Sequence, residues 1–301
     1  MINSTSASKL NNTIGIFGLG IMGLAIAEHL IAHGWTVVGY DPDPLQQKKA
    51  STSGVRLKSQ AIDVVSEADI ILSSLPNQQA LDQSIDAIVN SEKSQVSILA
   101  DLSTLKLECK LSNIDRLKRA GVTFLDCPIS GTGAQAQTAD ISIYASGCST
   151  TYDFCKPLLQ DFANHLHYLG KFGNGTKMKF VANLLVAIHN VATAEAMLLG
   201  KGCGLDPQEI CDTIATGAGS SKIFELRAPL MVEQEFDPPT MRLDLWKKDM
   251  ELISDFIKES GVSTPLFKAT SSIYDAANEH GLGKQDTAAI YTIMDQLSDG
   301  A

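Results

Sequence analysis

The chain has no C-x-x-C pair, no low-complexity tract, no uninterrupted apolar run of membrane length and no excess of positive charge. Each absence removes a class of function. The six cysteines (Cys109, Cys127, Cys148, Cys155, Cys203 and Cys211) lack the close spacings of zinc and redox motifs. Metal chemistry and a disulfide framework are therefore disfavoured, and a reducing cytoplasm is the expected compartment. His165, His167 and His189 have no metal-ligand spacing either and read as structural. A formal net charge of −10 opposes binding to nucleic acid or to an anionic membrane surface. It leaves room for a locally positive pocket that takes a small anion. The most apolar stretch, 180–199, is interrupted by His189, Asn190 and Glu195, which suits a buried core helix better than a membrane span. Residues 1–12 are small and polar with one lysine, so they read as a disordered tail and not as a signal peptide.

What is present is a chain of 301 residues, 44% apolar and 19% charged, long enough for two domains with separate cores. Strand-length apolar runs at 13–18, 35–40, 69–74, 96–100, 122–125, 141–146 and 165–169 alternate with helical stretches at 21–33, 44–51, 77–90 and 105–119. That alternation predicts a mostly parallel, doubly wound sheet with helices on both faces. The last strands, with shorter connections, are expected to form an antiparallel edge. After Gly170 the texture turns helical: a long apolar helix over 176–203, then helices near 207–216, 221–234, 242–260, 265–280 and 286–298. The expected organisation is a tail (1–12), an α/β domain (13–174) and a helical domain (175–301), joined by the long helix.

The segment Gly18-Leu19-Gly20-Ile21-Met22-Gly23 breaks the first strand and opens the first helix. Gly18 suits a tight turn, Gly20 the close approach of backbone to a pyrophosphate, and Gly23 close packing of helix on sheet. The helix N-terminus offers N–H groups and a partial positive charge to phosphates. Asp41 ends the second strand about 20 residues on, where a carboxylate accepts from the adenosine ribose and repels a 2′-phosphate. Pro42-Asp43-Pro44 supplies no arginine for such a phosphate, so NAD is expected over NADP. A strand-end aspartate also suits capping of the next helix, although Asp43 stands nearer for that task. Ser74-Leu75-Pro76-Asn77, Asp101-Leu102-Ser103-Thr104 and Asp126-Cys127-Pro128-Ile129-Ser130-Gly131 each follow a strand, where such folds open a crevice. Lys179 and Asn183, four apart, share a helix face expected at the mouth of an interdomain cleft. Burial can bring a lysine into use as an acid or base near neutrality, but spacing alone equally allows a solvated first-turn lysine like Lys177.

With these segments assembled, the chain resembles the β-hydroxyacid dehydrogenase family over nearly its whole length. The motif G-L-G-x-M-G stands at Gly18–Gly23, D-x-P-x-S-G at Asp126–Gly131, G-x-G-x-x-x-K-x-x-x-N at Gly173, Gly175, Lys179 and Asn183, and K-D at Lys248-Asp249. The resemblance implies hydride transfer between NAD (NADP less so) and a small anionic hydroxy acid or its semialdehyde. It implies Lys179 as general acid/base, Asn183 as the substrate-orienting residue, and Ser130 with the amides of Gly131 and Thr132 on the substrate carboxylate. Gly18 to Gly23, Asp41, Leu75, Pro76, Asn77, Thr104 and Lys248 would meet the cofactor. Asp244, one turn before Lys248, could pair with it. A homodimer or homotetramer is implied, with no membrane or nucleic-acid partner. The chain departs from the family where Thr132 and Gln135 replace two glycines of S-G-G-x-x-G-A, which leaves the substrate open. An NADPH-dependent semialdehyde reductase is the near alternative, and a dinucleotide-binding module without catalysis the distant one. Imine reductases typically lack the lysine, and 6-phosphogluconate dehydrogenases have a longer helical domain.

Overall fold

Strand by strand, the first half of the chain is apolar on both faces, as strands covered by helices on two sides must be. A computed structural model of the protein describes residues 12–298. Residues 1–11 of the expected tail lie outside the described residues; Asn12 donates from Nδ2 to Gly34 O at 2.7 Å. The elements run β1 (Thr13–Phe17), α1 (Ile21–Ala32), β2 (Thr36–Tyr40), α2 (Pro44–Thr52), β3 (Arg56–Leu57), α3 (Ala61–Val65), β4 (Ile70–Ser73) and α4 (Gln78–Val89). There follow β5 (Ile98–Asp101), α5 (Leu107–Leu111), α6 (Ile114–Arg119), β6 (Thr123–Asp126), β7 (Ile129–Ser130), α7 (Gly133–Gln137), β8 (Ser142–Ala145), α8 (Ser149–Gln160) and β9 (His165–Tyr168). The remainder is α9 (Asn174–Gly202), α10 (Pro207–Ala215), α11 (Lys222–Glu233), α12 (Leu243–Ser260), α13 (Pro265–Glu279) and α14 (Ile290–Ser298).

Strands β1 to β6 form a parallel sheet in the order β3-β2-β1-β4-β5-β6. This is the doubly wound, Rossmann-type order, whose reversal between β1 and β4 opens a crevice at the carboxyl ends of those strands. Successive residues face opposite layers. Ile14, Ile16, Ile70 and Leu72 pack with Ile26 and Leu30 of α1. Phe17, Ile71 and Leu99 pack with Val64, Leu81, Ile85 and Leu117 of the helices on the other side.

The expected antiparallel edge needs correction. β7, β8 and β9 make a separate three-stranded sheet, with β7–β8 antiparallel and β8–β9 parallel. Only Cys127 and Pro128 separate β6 from β7, too few residues for a parallel crossover, and Pro128 brings no N–H to continue the ladder. The helix expected over 105–119 is two short helices. Asn113 donates from Nδ2 to Cys109 O at 3.0 Å, a side-chain bond that competes with the helical ladder where the two meet. The stretch at 286–298 begins as a 3-10 turn (Thr287–Ala289), capped by Asp286, before α14.

The chain divides into two units, Met1–Lys179 and Phe180–Ala301. The second is helical around Phe180, Ala187, Met197, Phe224, Trp246 and Tyr274. Helix α9 is long and apolar enough, by length and composition, to cross a membrane, yet it supplies Phe180, Ala187, Val191, Ala194 and Met197 to this core.

Candidate functional site

In the first unit, the glycine turn after β1 separates three steric demands. Gly18 has φ +83°, and a Cβ on it would lie 2.2 Å from Ser74 O. A Cβ on Gly23 would lie 1.9 Å from Gly18 O, so α1 approaches the turn more closely than a side chain allows. A Cβ on Gly20 would meet nothing within 4 Å, and its backbone is extended (φ −64°, ψ −167°), open to any residue. Neither packing nor conformation asks for glycine there; a ligand backbone passing close does. No side chain caps α1 and no acid sits in its first turn, so the N–H groups of Ile21, Met22 and Gly23 point outward as an anion site. These residues therefore fit a dinucleotide. Ile21 is exposed, Leu19 is buried, and Met22 packs partly into the core.

Asp41, nearly buried at the end of β2, accepts from Leu19 N (2.7 Å) on one oxygen and from Asp43 N (2.8 Å) on the other. It thus fixes the glycine turn to β2 while each oxygen keeps a second lone pair. Capping of α2 falls to Asp43, which accepts from Leu45 N. In the loop after β4, Leu75 N donates to Ser103 Oγ at 2.8 Å, Pro76 follows, and Asn77 caps α4 by accepting from Ala80 N. Thr104 continues the loop that begins at Leu102 and Ser103 after β5.

Ser130 ends β7, and Gly131 (φ +146°) turns the chain into α7. Thr132 and Gln135, the two departures from the family pattern, form a reciprocal capping box. Gln135 N donates to Thr132 Oγ1 (3.4 Å), and Thr132 N donates to Gln135 Oε1 (3.0 Å). The Thr132 amide is thus already committed within the chain. Gly133 packs on Ile21: a Cβ there would lie 2.5 Å from Ile21 Cγ2, so this loop adjoins the glycine turn.

A buried polar cluster underlies these loops. Asp101 and Asp126 are register partners at the ends of β5 and β6, and Lys110 of α5 pairs with both, at 2.9 and 2.8 Å. All three are fully buried. Burial pulls the Lys110 ammonium toward neutrality, but the two carboxylates reverse that and raise its pKa above the ordinary lysine value. Asp126 also accepts from Thr176 N (2.8 Å) and Thr176 Oγ1 (2.7 Å) at the start of α9. The sequence reading missed Lys110. The available signal was two strand-end aspartates in adjacent parallel strands, which require a cation beside them once buried.

Lys179 lies 7% exposed on α9, one turn after Thr176. Asn183, one further turn along, is buried and donates from Nδ2 to Asp249 Oδ2 at 3.0 Å. Asp249, the second residue of the K-D motif, thus fixes the orientation of the amide. Lys248 is half-exposed on α12, 3.7 Å from Asp249, and Asp244 pairs with Arg242. Both catalytic candidates thus stand on α9, while the proposed cofactor and carboxylate residues, Lys248 aside, belong to the first unit.

Residues 13–170 match the family model described as the NAD binding domain of 6-phosphogluconate dehydrogenase. Residues 173–294 match the one described as NAD-binding of NADP-dependent 3-hydroxyisobutyrate dehydrogenase. An L-threonate dehydrogenase of Cupriavidus necator is 29% identical, over 95% of this chain and 97% of that protein. Glyoxylate/succinic semialdehyde reductase 2 of Arabidopsis thaliana is 28% identical, over 92% of this chain and 78% of that protein. Among solved structures, 3-hydroxyisobutyrate dehydrogenase of Mycobacterium tuberculosis with L-serine superposes with a TM-score of 0.85 at 25% identity, covering 94% of this chain and 98% of that one.

Proposed function

Because the chain belongs to the β-hydroxyacid dehydrogenase family and is an NAD(P)-dependent oxidoreductase of small hydroxy acids, we propose that Lys179 is its general acid/base and NAD its cofactor. The reaction is oxidation of a small 3-hydroxy acid, or reduction of the matching semialdehyde. The observation that carries this reading is Lys179 itself: nearly buried, and one turn from a residue bonded to the aspartate that opens the D-x-P-x-S-G segment. A solvated first-turn lysine, such as the exposed Lys177, would lack that burial.

The glycine turn, the uncapped start of α1, Asp41 and the Leu75–Asn77 and Thr104 loops hold the dinucleotide. When bound, it supplies the hydride acceptor or donor at its nicotinamide ring. Lys179 Nζ takes the proton of the substrate hydroxyl during oxidation and returns it to the carbonyl oxygen during reduction. Asn183, with its amide plane fixed by Asp249, orients that same oxygen by donating its remaining N–H. Ser130 and the Gly131 amide receive the carboxylate, and the capped Thr132 shapes the wall beside them. Lys248 adds a positive charge from α12.

The choice of NAD is supported by Asp41 at the end of β2, the position from which a carboxylate in such folds bonds the ribose and repels a 2′-phosphate. The NADP-dependent description attached to the second matching domain favours the alternative, an NADPH-dependent semialdehyde reductase. Asp41→Ala is expected to weaken NAD binding more than NADP binding; an unchanged ratio in titrations with both would remove Asp41 from the ribose. We place the enzyme in the cytoplasm as a homodimer or homotetramer, supported by six free cysteines and by exposed Val181 and Leu185 on α9.

The central test is Lys179→Ala, assayed with L-threonate, glycerate, serine and 3-hydroxyisobutyrate. Turnover should fall by about 10²- to 10⁴-fold with NAD affinity preserved. Retained turnover would remove Lys179 from the chemistry.

A further inference from the structure

We infer that Lys110 is a positioning residue of this reaction: by bridging Asp101 and Asp126 it ties the cofactor loop after β4 to the first turn of α9, and so sets where Lys179 stands. The role rests on Lys179 being the proton-transfer group, and the variants below separate the two assignments.

Lys110 lies too deep to touch substrate or cofactor, being fully buried with its two carboxylate partners. Its ammonium donates to Asp126 Oδ1 at 2.8 Å and to Ser103 O at 2.8 Å, and forms an ion pair with Asp101 Oδ2 at 2.9 Å. Two chains of bonds leave it. On one side, Asp101 Oδ1 accepts from Ser73 Oγ (2.8 Å) and Ser103 Oγ (2.7 Å), and Ser103 Oγ accepts from Leu75 N (2.8 Å). That side ends in the loop assigned to the cofactor. On the other side, Asp126 accepts from Thr176 N, Thr176 Oγ1 and Ser146 Oγ, and Ser146 Oγ accepts from Gly175 N at 2.9 Å. That side ends on the first turn of α9, three residues before Lys179, on the same helix face.

The second glycine of G-x-G-x-x-x-K acquires a physical reason from this cluster. A Cβ on Gly175 would lie 2.1 Å from Tyr144 O, 2.8 Å from Asp126 O and 3.0 Å from Asp126 Oδ2. Only a residue without a side chain lets the helix start close enough for its amides to reach Ser146 and Asp126. Hydrogen bonds and one buried ion pair therefore link Leu75 through Lys110 to Thr176, all within the first unit.

The experiment uses the full-length chain with NAD and whichever of L-threonate and 3-hydroxyisobutyrate the parent protein turns over faster. Lys110→Met removes the bridge. Lys110→Met/Asp101→Asn also removes it but keeps the cluster's formal charge at −1, so a folded protein is available if the single variant fails to fold. In the folded variants kcat should fall by about ten- to a hundredfold, while the KM for substrate and the Kd for NAD stay within about threefold. Thr176→Val should reproduce the kcat loss, and Thr176→Ser, which keeps the hydroxyl on Asp126, should restore it. Merely structural roles would lower the melting temperature without that split or that rescue. A folded bridge-less variant with kcat within about twofold of the parent, or Thr176→Ser no better than Thr176→Val, overturns the inference. Lys179→Ala is measured alongside. If it is inactive while Lys110→Met is fully active, only the positioning role falls; if it stays active, the role of Lys179 falls and takes this one with it.

Discussion

At Gly20 and Gly23 the same residue type answers to different partners, one inside the protein and one outside it. Gly23→Ala sets a methyl 1.9 Å from Gly18 O, backbone that cannot swing aside. It is expected to cost about 1–3 kcal/mol, the range for overpacking, and to appear as a lowered melting temperature before any ligand is added. Gly20→Ala meets nothing within 4 Å, so the apo protein should melt within about 0.5 kcal/mol of the parent. Its NAD affinity should nevertheless fall, by roughly tenfold if one phosphate–amide contact is lost. Thermal shift and NAD titration on the pair read the two effects separately, and equal NAD affinity in Gly20→Ala would mean that no phosphate passes there. At this scale the candidate site was partly legible. The glycines, Asp41, Ser130, Lys179 and Asn183 carry motif spacing. Lys110 carries none, because its partners come from two strands brought together by sheet register, which spacing along one helix does not reveal.

Elements were legible in proportion to their length. The central strands β1, β4, β5 and β6 read directly as apolar runs, and the long helices of the second unit as periodic ones. β3 and β7, two residues each, and α3 and α7, five each, are too short to show a period and were not expected. Helix α8 was missed although Tyr152, Cys155, Leu158 and Leu159 make a buried face, because Pro157 interrupts its pattern near the end. The capping box at α7 had its own signature, Thr followed three residues later by Gln, which went unread because glycines were expected there. Thr132→Gly/Gln135→Gly would release the Thr132 amide and cost about 1 kcal/mol of stability through the lost cap. The double variant is expected to widen the range of carboxylates turned over in a substrate panel. An unchanged panel would show that the cap does not border the substrate.

On the scale of the whole molecule, each unit holds a buried ionic cluster. In the second, Arg227 pairs with Asp286 at 3.2 Å, and Asp286 also accepts from Thr240 N, Met241 N and Ala288 N. Arg227→Met leaves that carboxylate buried without its cation and should cost about 3–5 kcal/mol, measured by urea unfolding. NAD affinity should hardly change, since the residues assigned to the dinucleotide, Lys248 apart, lie in the first unit. The division between the units falls between Lys179 and Phe180, inside an unbroken helix and not in a loop. Asn183 stands four positions along the helix from Lys179, an axial rise of about 6 Å with nearly the same angular setting. The proposed proton carrier and orienting amide are thus marks on a single ruler. Any flexing of the molecule that spares the ruler preserves their separation, whereas one inserted residue between the marks would swing Asn183 about 100° around the axis with every functional group still present.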